Sequence, residues 1–214
     1  MKEKEEERLK LLKEEERKIY ESGKFELLCG IDEAGRGPLA GPVVVGAVIM
    51  PKDSMIEGVN DSKKVSEKKR DQLYDLITKE AIAYSVGIVD QVVIDNINIL
   101  EATKKALTEA VSGLEVKPNV IMVDALNKID TCGIPYISVI KGDAKIYSIA
   151  CASIIAKVTR DRMMYEYDKI YPQYGFAKHK GYGTAFHINA IRENGLCMIH
   201  RKTFIKEDWL KKKI

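Results

Sequence analysis

The chain has 214 residues, enough for one sizeable α/β domain with a buried core and too few for two comfortable ones. A composition of 45% hydrophobic and 31% charged residues, with no run near the roughly 18 apolar residues that span a bilayer, excludes a transmembrane helix and points to a soluble protein. The net charge of +3 is too mild to demonstrate nucleic-acid binding, and Cys29, Cys132, Cys151 and Cys197 lack CxxC or Cys/His spacing, which excludes zinc and predicts four reduced packing residues.

Residues 1–20 carry seven Lys/Arg and seven Asp/Glu around a thin stripe of Leu9, Leu12 and Ile19, which predicts an exposed helix held by charge pairs. No basic patch precedes an apolar stretch, so no secretory signal is read and a cytoplasmic protein is expected. Residues 27–31 and 43–50 read as an antiparallel pair of buried strands, followed by a helix over 66–79, a strand over 82–89 and a helix over 94–112. Short β-branched runs over 120–123 and 136–140 end in Asp124 and in Lys141-Gly142-Asp143. A long helix over 147–171, polar at Lys157, Arg160, Asp161 and Arg162, leads through a turn-rich segment to helices over 184–193 and 206–213. The order predicts a mixed sheet flanked by helices, divided into a charged N-terminal helix (1–22) and one domain (23–214) that includes a C-terminal helical substrate-binding part. Residues 178–214 hold nine Lys/Arg against three Asp/Glu, a surplus that suits a phosphate-binding face or an ordinary solvated one.

The stretch Gly30-Ile31-Asp32-Glu33-Ala34-Gly35-Arg36-Gly37-Pro38-Leu39-Ala40-Gly41-Pro42 sets two adjacent carboxylates at the end of an apolar run, followed by a glycine-bracketed arginine. Neighbouring ionised acids repel, so the pair suggests a cation or a shared proton, while the glycines let backbone amides approach a ligand closely. Asp124 and Asp143 close or follow strands of the same predicted sheet, where α/β ligand sites form. Four hard oxygen donors without His or Cys suit Mg²⁺ or Mn²⁺. Two such ions roughly 3.5–4 Å apart can serve phosphodiester cleavage.

Gly30–Val48 (GIDEAGRGPLAGPVVVGAV), Asn60–Lys64 (NDSKK), Val123–Leu126 (VDAL), Lys141–Asp143 (KGD), Ser148–Arg162 (SIACASIIAKVTRDR) and His179–Thr184 (HKGYGT) together resemble the ribonuclease HII family. The resemblance implies a ribonuclease H-like fold with a mixed five-stranded sheet, flanking helices and additional C-terminal helices. It implies hydrolysis of the RNA strand of RNA–DNA hybrids and incision of duplex DNA on the 5′ side of a single embedded ribonucleotide, as in the removal of misincorporated ribonucleotides. It further implies that Asp32, Glu33, Asp124 and Asp143 are the catalytic, metal-binding carboxylates, with Asp143 preferred over Asp161. Gly35, Arg36 and Gly37 match the family's ribonucleotide sensor, Tyr182 the tyrosine at the RNA-to-DNA junction, and Asn60, Ser62 and Lys63 its phosphate contacts.

Lys157 and Arg160 are further phosphate candidates. His179 and His187 suit structural or phosphate-neighbouring roles better than acid/base ones, and His200-Arg201-Lys202 reads as a basic patch beside the duplex or as surface charge. A monomer is expected, and a sliding-clamp contact is not readable. The rival readings are a ribonuclease HIII-like hybrid nuclease, disfavoured by Arg36 and the short N-terminal segment, and a non-catalytic nucleic-acid-binding module, disfavoured by four intact carboxylates.

Overall fold

The computed structural model of the chain describes residues 2–210. Helices α1 (Lys2–Leu12) and α2 (Glu14–Glu21) precede strand β1 (Leu28–Ala34), which returns through the Gly/Pro segment as β2 (Val43–Ile49). Helix α3 (Glu67–Glu80), strand β3 (Ala83–Val89), helix α4 (Gln91–Ser112) and strands β4 (Val120–Asp124) and β5 (Tyr136–Val139) follow. The chain ends in α5 (Tyr147–Ile170), α6 (Phe176–His179), α7 (Ala185–Asn194) and α8 (Glu207–Leu210). Of the helix expected over 206–213, residues 211–213 lie outside the described residues.

The five strands form one mixed sheet in the order β3-β2-β1-β4-β5, antiparallel from β3 to β1 and parallel from β1 to β5. Every residue of β2 is buried, as befits an apolar run covered on both faces. β1 runs further than its apolar residues alone suggest. Its ladder with β2 continues through Asp32–Gly46, Glu33–Val45 and Ala34–Val44, so the two acids lie inside a central strand.

Three sheet glycines set the spacing of the layers. A Cβ on Gly30 would lie 2.1 Å from the Ser148 carbonyl carbon, and one on Gly46 would lie 2.6 Å from the Ala152 oxygen, both on α5. On the other face, a Cβ on Gly87 would lie 1.8 Å from the Ala106 oxygen of α4. Helices therefore sit backbone to backbone on the sheet, with apolar clusters filling the remaining space, such as Ile31, Val45 and Leu107 on one side and Val48, Ile154 and Ile155 on the other.

The N-terminal residues depart from the expected exposed helix. The helix breaks at Lys13, and Leu9 and Leu12 are buried in the α5-side cluster. Glu16, also buried, accepts a 2.6 Å hydrogen bond from the Ser148 amide. That bond caps α5, whose own cap position, Ile146, has no side-chain acceptor. One further expectation is corrected: Cys132 is exposed in a left-handed turn, whereas Cys29 and Cys151 are buried packing residues. Arg160 and Asp161 of α5 are buried.

α6, α7 and the following chain enclose a smaller core around Leu39, Met164, Tyr174, Phe176 and Ile191. It contains a hydrogen-bonded imidazole pair, His187 Nε2 to His200 Nε2 at 3.0 Å, edge-on to Phe176 and tilted against it respectively. His187 Nδ1 faces the Tyr182 carbonyl at 3.0 Å, so it must carry the proton, and the Cys197 amide donates to His200 Nδ1 at 2.9 Å. One tautomer of each ring satisfies the whole chain. Both are structural histidines, as expected for His187, whereas His200 was expected in a basic patch.

Two predictions follow from the packing. Gly87→Ala forces α4 off the sheet and is expected to destabilise by about 2–3 kcal/mol, lowering Tm by several degrees; an unchanged circular-dichroism melt would contradict the backbone contact. Burial above all pushes the histidines down from 6.5 to about 4. The unfolded chain then binds more protons than the native one between those values, so the stability they confer is complete above pH 6.5 and fades as pH falls toward 4. The advantage of the native protein over a His187→Gln/His200→Gln variant in urea melts should shrink between pH 7.5 and 5 by on the order of 2 kcal/mol per imidazole.

Candidate active site

Strand register brings the acids together. β1 and β4 run parallel with Ile31 beside Val123, which sets Asp32 next to Asp124, the last residue of β4. β5 continues into a left-handed Lys141 (φ 58°) and a 3₁₀ turn over Gly142–Ala144 that carries Asp143 back toward Asp124. The Gly142 amide donates to Asp124 Oδ1 at 2.8 Å and fixes that return. A Cβ on Gly142 would meet Ile149 Cδ1 at 2.6 Å, so a larger residue there would have to displace the end of that side chain.

Asp32 and Asp143 are buried and Glu33 nearly so. Burial first, then the charges of Glu33, Asp124 and Asp143, push the Asp32 carboxyl well above its ordinary value. Burial and Asp124 raise Glu33 against the opposing pull of Arg36, and burial, Asp61 and Asp124 raise Asp143 against Lys63. The two cations stand at the margin, Arg36 Nη1 3.5 Å from Glu33 Oε1 and Lys63 Nζ 3.5 Å from Asp143 Oδ2. Burial opposes the Lys63 charge, but Asp143, Asp32 and Asp61 outweigh it and raise its pKa.

Among the described residues no three His, Cys, Asp or Glu side chains close into a ready-made metal cage. The donor chemistry is what fits. Asp32, Glu33 and Asp143, each destabilised as an anion by burial and neighbouring carboxylates, offer together with Asp124 only hard oxygens, as a divalent Mg²⁺ or Mn²⁺ requires.

A cleft of about 170 Å³ adjoins the carboxylates. Asp32, Glu33 and the Gly35-Arg36-Gly37 segment form one wall, and Ser62, Lys63 and Tyr182 face it. Tyr182 is 46% exposed, and a Cβ on Gly37 would lie 3.7 Å from its ring, so the aromatic edge stands directly over the glycine. The Tyr182 turn is pinned by the Leu39 amide donating to the Gly181 carbonyl and by His187. Ser62 and Lys63 are held by the Asp61 carboxylate, which accepts from the Lys63 amide, and by the Ser62 amide donating to Ser153 Oγ of α5.

Other candidates lie elsewhere. Asn60 caps its own neighbour, the Asp61 amide, and faces an adjacent groove with Lys64 and Lys145. Asp161 is paired with Lys157 at 2.5 Å and with Arg70 at 3.6 Å, which removes it from the carboxylate group and commits Lys157 to it. Arg160 lines the cleft but spends its guanidinium on the Pro42, Lys180 and Ala40 carbonyls at 2.9, 2.9 and 3.1 Å. It is no phosphate contact.

The basic patch expected at His200-Arg201-Lys202 is likewise corrected, since His200 and Arg201 are buried. Arg201 donates from Nε to the Gly41 carbonyl (2.9 Å), from Nη1 to Arg36 (3.0 Å) and from Nη2 to Gly35 (2.6 Å). Among the described residues neither arginine has an ion-pair partner within 4.0 Å. Burying such a cation costs several kcal/mol, and three charge-assisted bonds at about 1.5–3 kcal/mol each offset it. Nothing in the sequence distinguishes these arginines from solvated ones except the glycine- and proline-rich segment, whose carbonyls lack regular ladder partners.

The model of the family described as Ribonuclease HII matches residues 29–212. The chain is 57% identical over 191 residues to a ribonuclease HII of Acetivibrio thermocellus, covering 89% of this chain and 74% of that relative. Among solved structures it resembles ribonuclease H2 of Pyrococcus horikoshii (TM-score 0.70, 28% identity, 83% and 93% of the two chains). It also resembles a chain of the PCNA:RNase HII complex of Archaeoglobus fulgidus (TM-score 0.71, 27% identity, 85% and 96%).

Proposed function

This chain belongs to the ribonuclease HII family, and we propose that it is an endonuclease that cuts the RNA strand of RNA–DNA hybrids and incises duplex DNA 5′ to a single embedded ribonucleotide. The observation that carries this reading is the juxtaposition, in one cleft, of Asp32 and Glu33 with Gly35-Arg36-Gly37 and Tyr182. A carboxylate cluster alone serves many phosphoryl transfers. A carboxylate cluster one residue away from a sugar-reading loop ties the cut to the presence of a ribose.

Asp32, Glu33, Asp124 and Asp143 would hold the two divalent cations, Mg²⁺ or Mn²⁺, that supply an activated water and charge stabilisation for the leaving oxygen. The chain's own groups do the rest. Lys63 and Ser62, facing the carboxylates across the cleft, take the scissile phosphate and keep its negative charge from being repelled by the acids. Arg36, half exposed, takes a neighbouring phosphate. Backbone groups of Gly35–Gly37 meet the 2′-hydroxyl, which both donates and accepts, so that ribose is told from deoxyribose. The exposed ring of Tyr182 packs on the adjoining sugar and marks the RNA-to-DNA junction.

Purified protein should incise a duplex with one ribonucleotide on its 5′ side when Mg²⁺ or Mn²⁺ is added, and not in excess chelator. Asp124→Asn should lower kcat/KM by more than about 100-fold, since even indirect partners of a metal ligand are worth 10–100-fold. Gel analysis that finds no cleavage with either metal would sink the enzymatic reading. Tyr182→Ala should lower kcat/KM on that duplex by roughly tenfold, the value of one lost stacking contact, with cation affinity unchanged; full activity would remove Tyr182 from the site.

A further inference from the structure

We infer that Arg201, buried behind the cleft and remote in sequence from its residues, is a positioning residue that sets the sugar specificity of the Gly35-Arg36-Gly37 loop. The inference rests on the proposed function above and adds what holds the sensor in its working shape.

The argument is one of peptide geometry. Arg201 Nη2 and Nη1 donate to the carbonyls of Gly35 and Arg36, at 2.6 and 3.0 Å, and thereby fix the orientation of two successive peptide planes. Among the described residues no peptide is cis, and in a trans peptide the N–H points opposite to the C=O. The N–H groups of those two planes belong to Arg36 and Gly37. With their carbonyls turned inward to Arg201, both N–H groups face away from it. Among the described residues neither donates to a protein acceptor, and both residues line the cleft beside Asp32 and Tyr182. The result is a pair of adjacent, unspent amide donors aimed at a sugar or phosphate oxygen.

The loop lies beyond the last β1–β2 ladder pair, so no ladder bond orients these peptides. Gly35 has φ 98°, a left-handed conformation, and packs against the Arg160 side chain, where a Cβ would lie 2.1 Å from Nε. Arg201 itself is immobilised. Its amide donates to the Leu39 carbonyl at 2.8 Å, its Nε to the Gly41 carbonyl, and its guanidinium lies 5.2 Å from the centre of the Phe204 ring. Asp95 of α4 accepts from the amides of Lys202 and Thr203 and anchors the segment from the far side. A planar guanidinium can serve the Gly35 and Arg36 carbonyls at once, which a lysine ammonium at the end of a flexible stem cannot do in the same fixed geometry.

The test compares the native protein with Arg201→Lys on two duplexes, one with a single ribonucleotide and one with a 2′-fluoro nucleotide at the same place, fluorine being a far poorer acceptor than a hydroxyl. Arg201→Lys should lower kcat/KM on the ribonucleotide duplex by ten- to a hundredfold, as misplacement of a positioned group does, and change the 2′-fluoro rate far less, so that the ratio between the sugars collapses. Its Mn²⁺ affinity by calorimetry should match the native value, which a general loss of structure would not leave intact. A native protein that cuts both sugars equally overturns the proposed function and this inference with it. A native protein that discriminates, beside an Arg201→Lys that discriminates equally well, overturns the inference alone.

Amide exchange in the native protein decides the matter if the variant does not fold. The Arg36 and Gly37 amides should exchange freely in the unliganded protein and become protected on the ribonucleotide duplex. Protection of either amide without the duplex would contradict the inference.

Discussion

Backbone-to-backbone contact between the sheet and its two long helices is the constraint from which the site follows. Gly30 and Gly46 let α5 lie directly on β1 and β2, and Gly87 does the same for α4 on β3. With no side chain as spacer, the helix has one axial position, and the groups it carries arrive at fixed heights. Ser153 reaches the Ser62 amide, Arg160 reaches the carbonyls around Ala40 and Pro42, and Met164 reaches the smaller C-terminal core. A wider helix–sheet gap would move all of these away from the cleft together.

The electrostatic plan is lopsided. Acids collect at the ends of β1 and β4 and in the turn after β5, with two cations only at the edge of salt-bridge distance. Behind the same loops two buried arginines have, among the described residues, no carboxylate within 4.0 Å and are neutralised by carbonyl dipoles instead. Pairing arginines with the acids would relieve both strains at the expense of the site's appetite for external cations. The fold keeps them apart by spending the arginines on backbone, which makes the loops stiff and leaves the carboxylates short of positive charge.

Much of the fold was legible because its strands are β-branched runs with sharp ends and its helices carry clear periodicity. The order of elements along the chain, the mixed sheet and the placing of acids at strand ends followed from these signals, and six co-occurring motifs brought the family into view. What stayed hidden has common causes. β1 extends over Asp32 and Glu33 because β2 supplies ladder partners, which composition does not show. Arg160 read as a phosphate candidate and Arg201 as part of a basic patch or surface charge because their true partners are carbonyls, and every residue has one. Leu9, Leu12 and Glu16 form too thin a stripe to announce a buried face, and only tertiary packing reveals it. Asp61, a buried neighbour of Asp143, was masked by the adjacent lysines.

The bond from the Ser148 amide to Glu16 spans 132 residues of sequence. During synthesis the acceptor leaves the ribosome long before its donor exists, and β1 likewise precedes β4, its parallel neighbour. The central sheet and its longest helix therefore share a late step in which the beginning of the chain is recruited by its second half. Such non-local closure raises contact order and slows folding, and it couples the charged first twenty residues to the ordering of the helix that shapes the cleft.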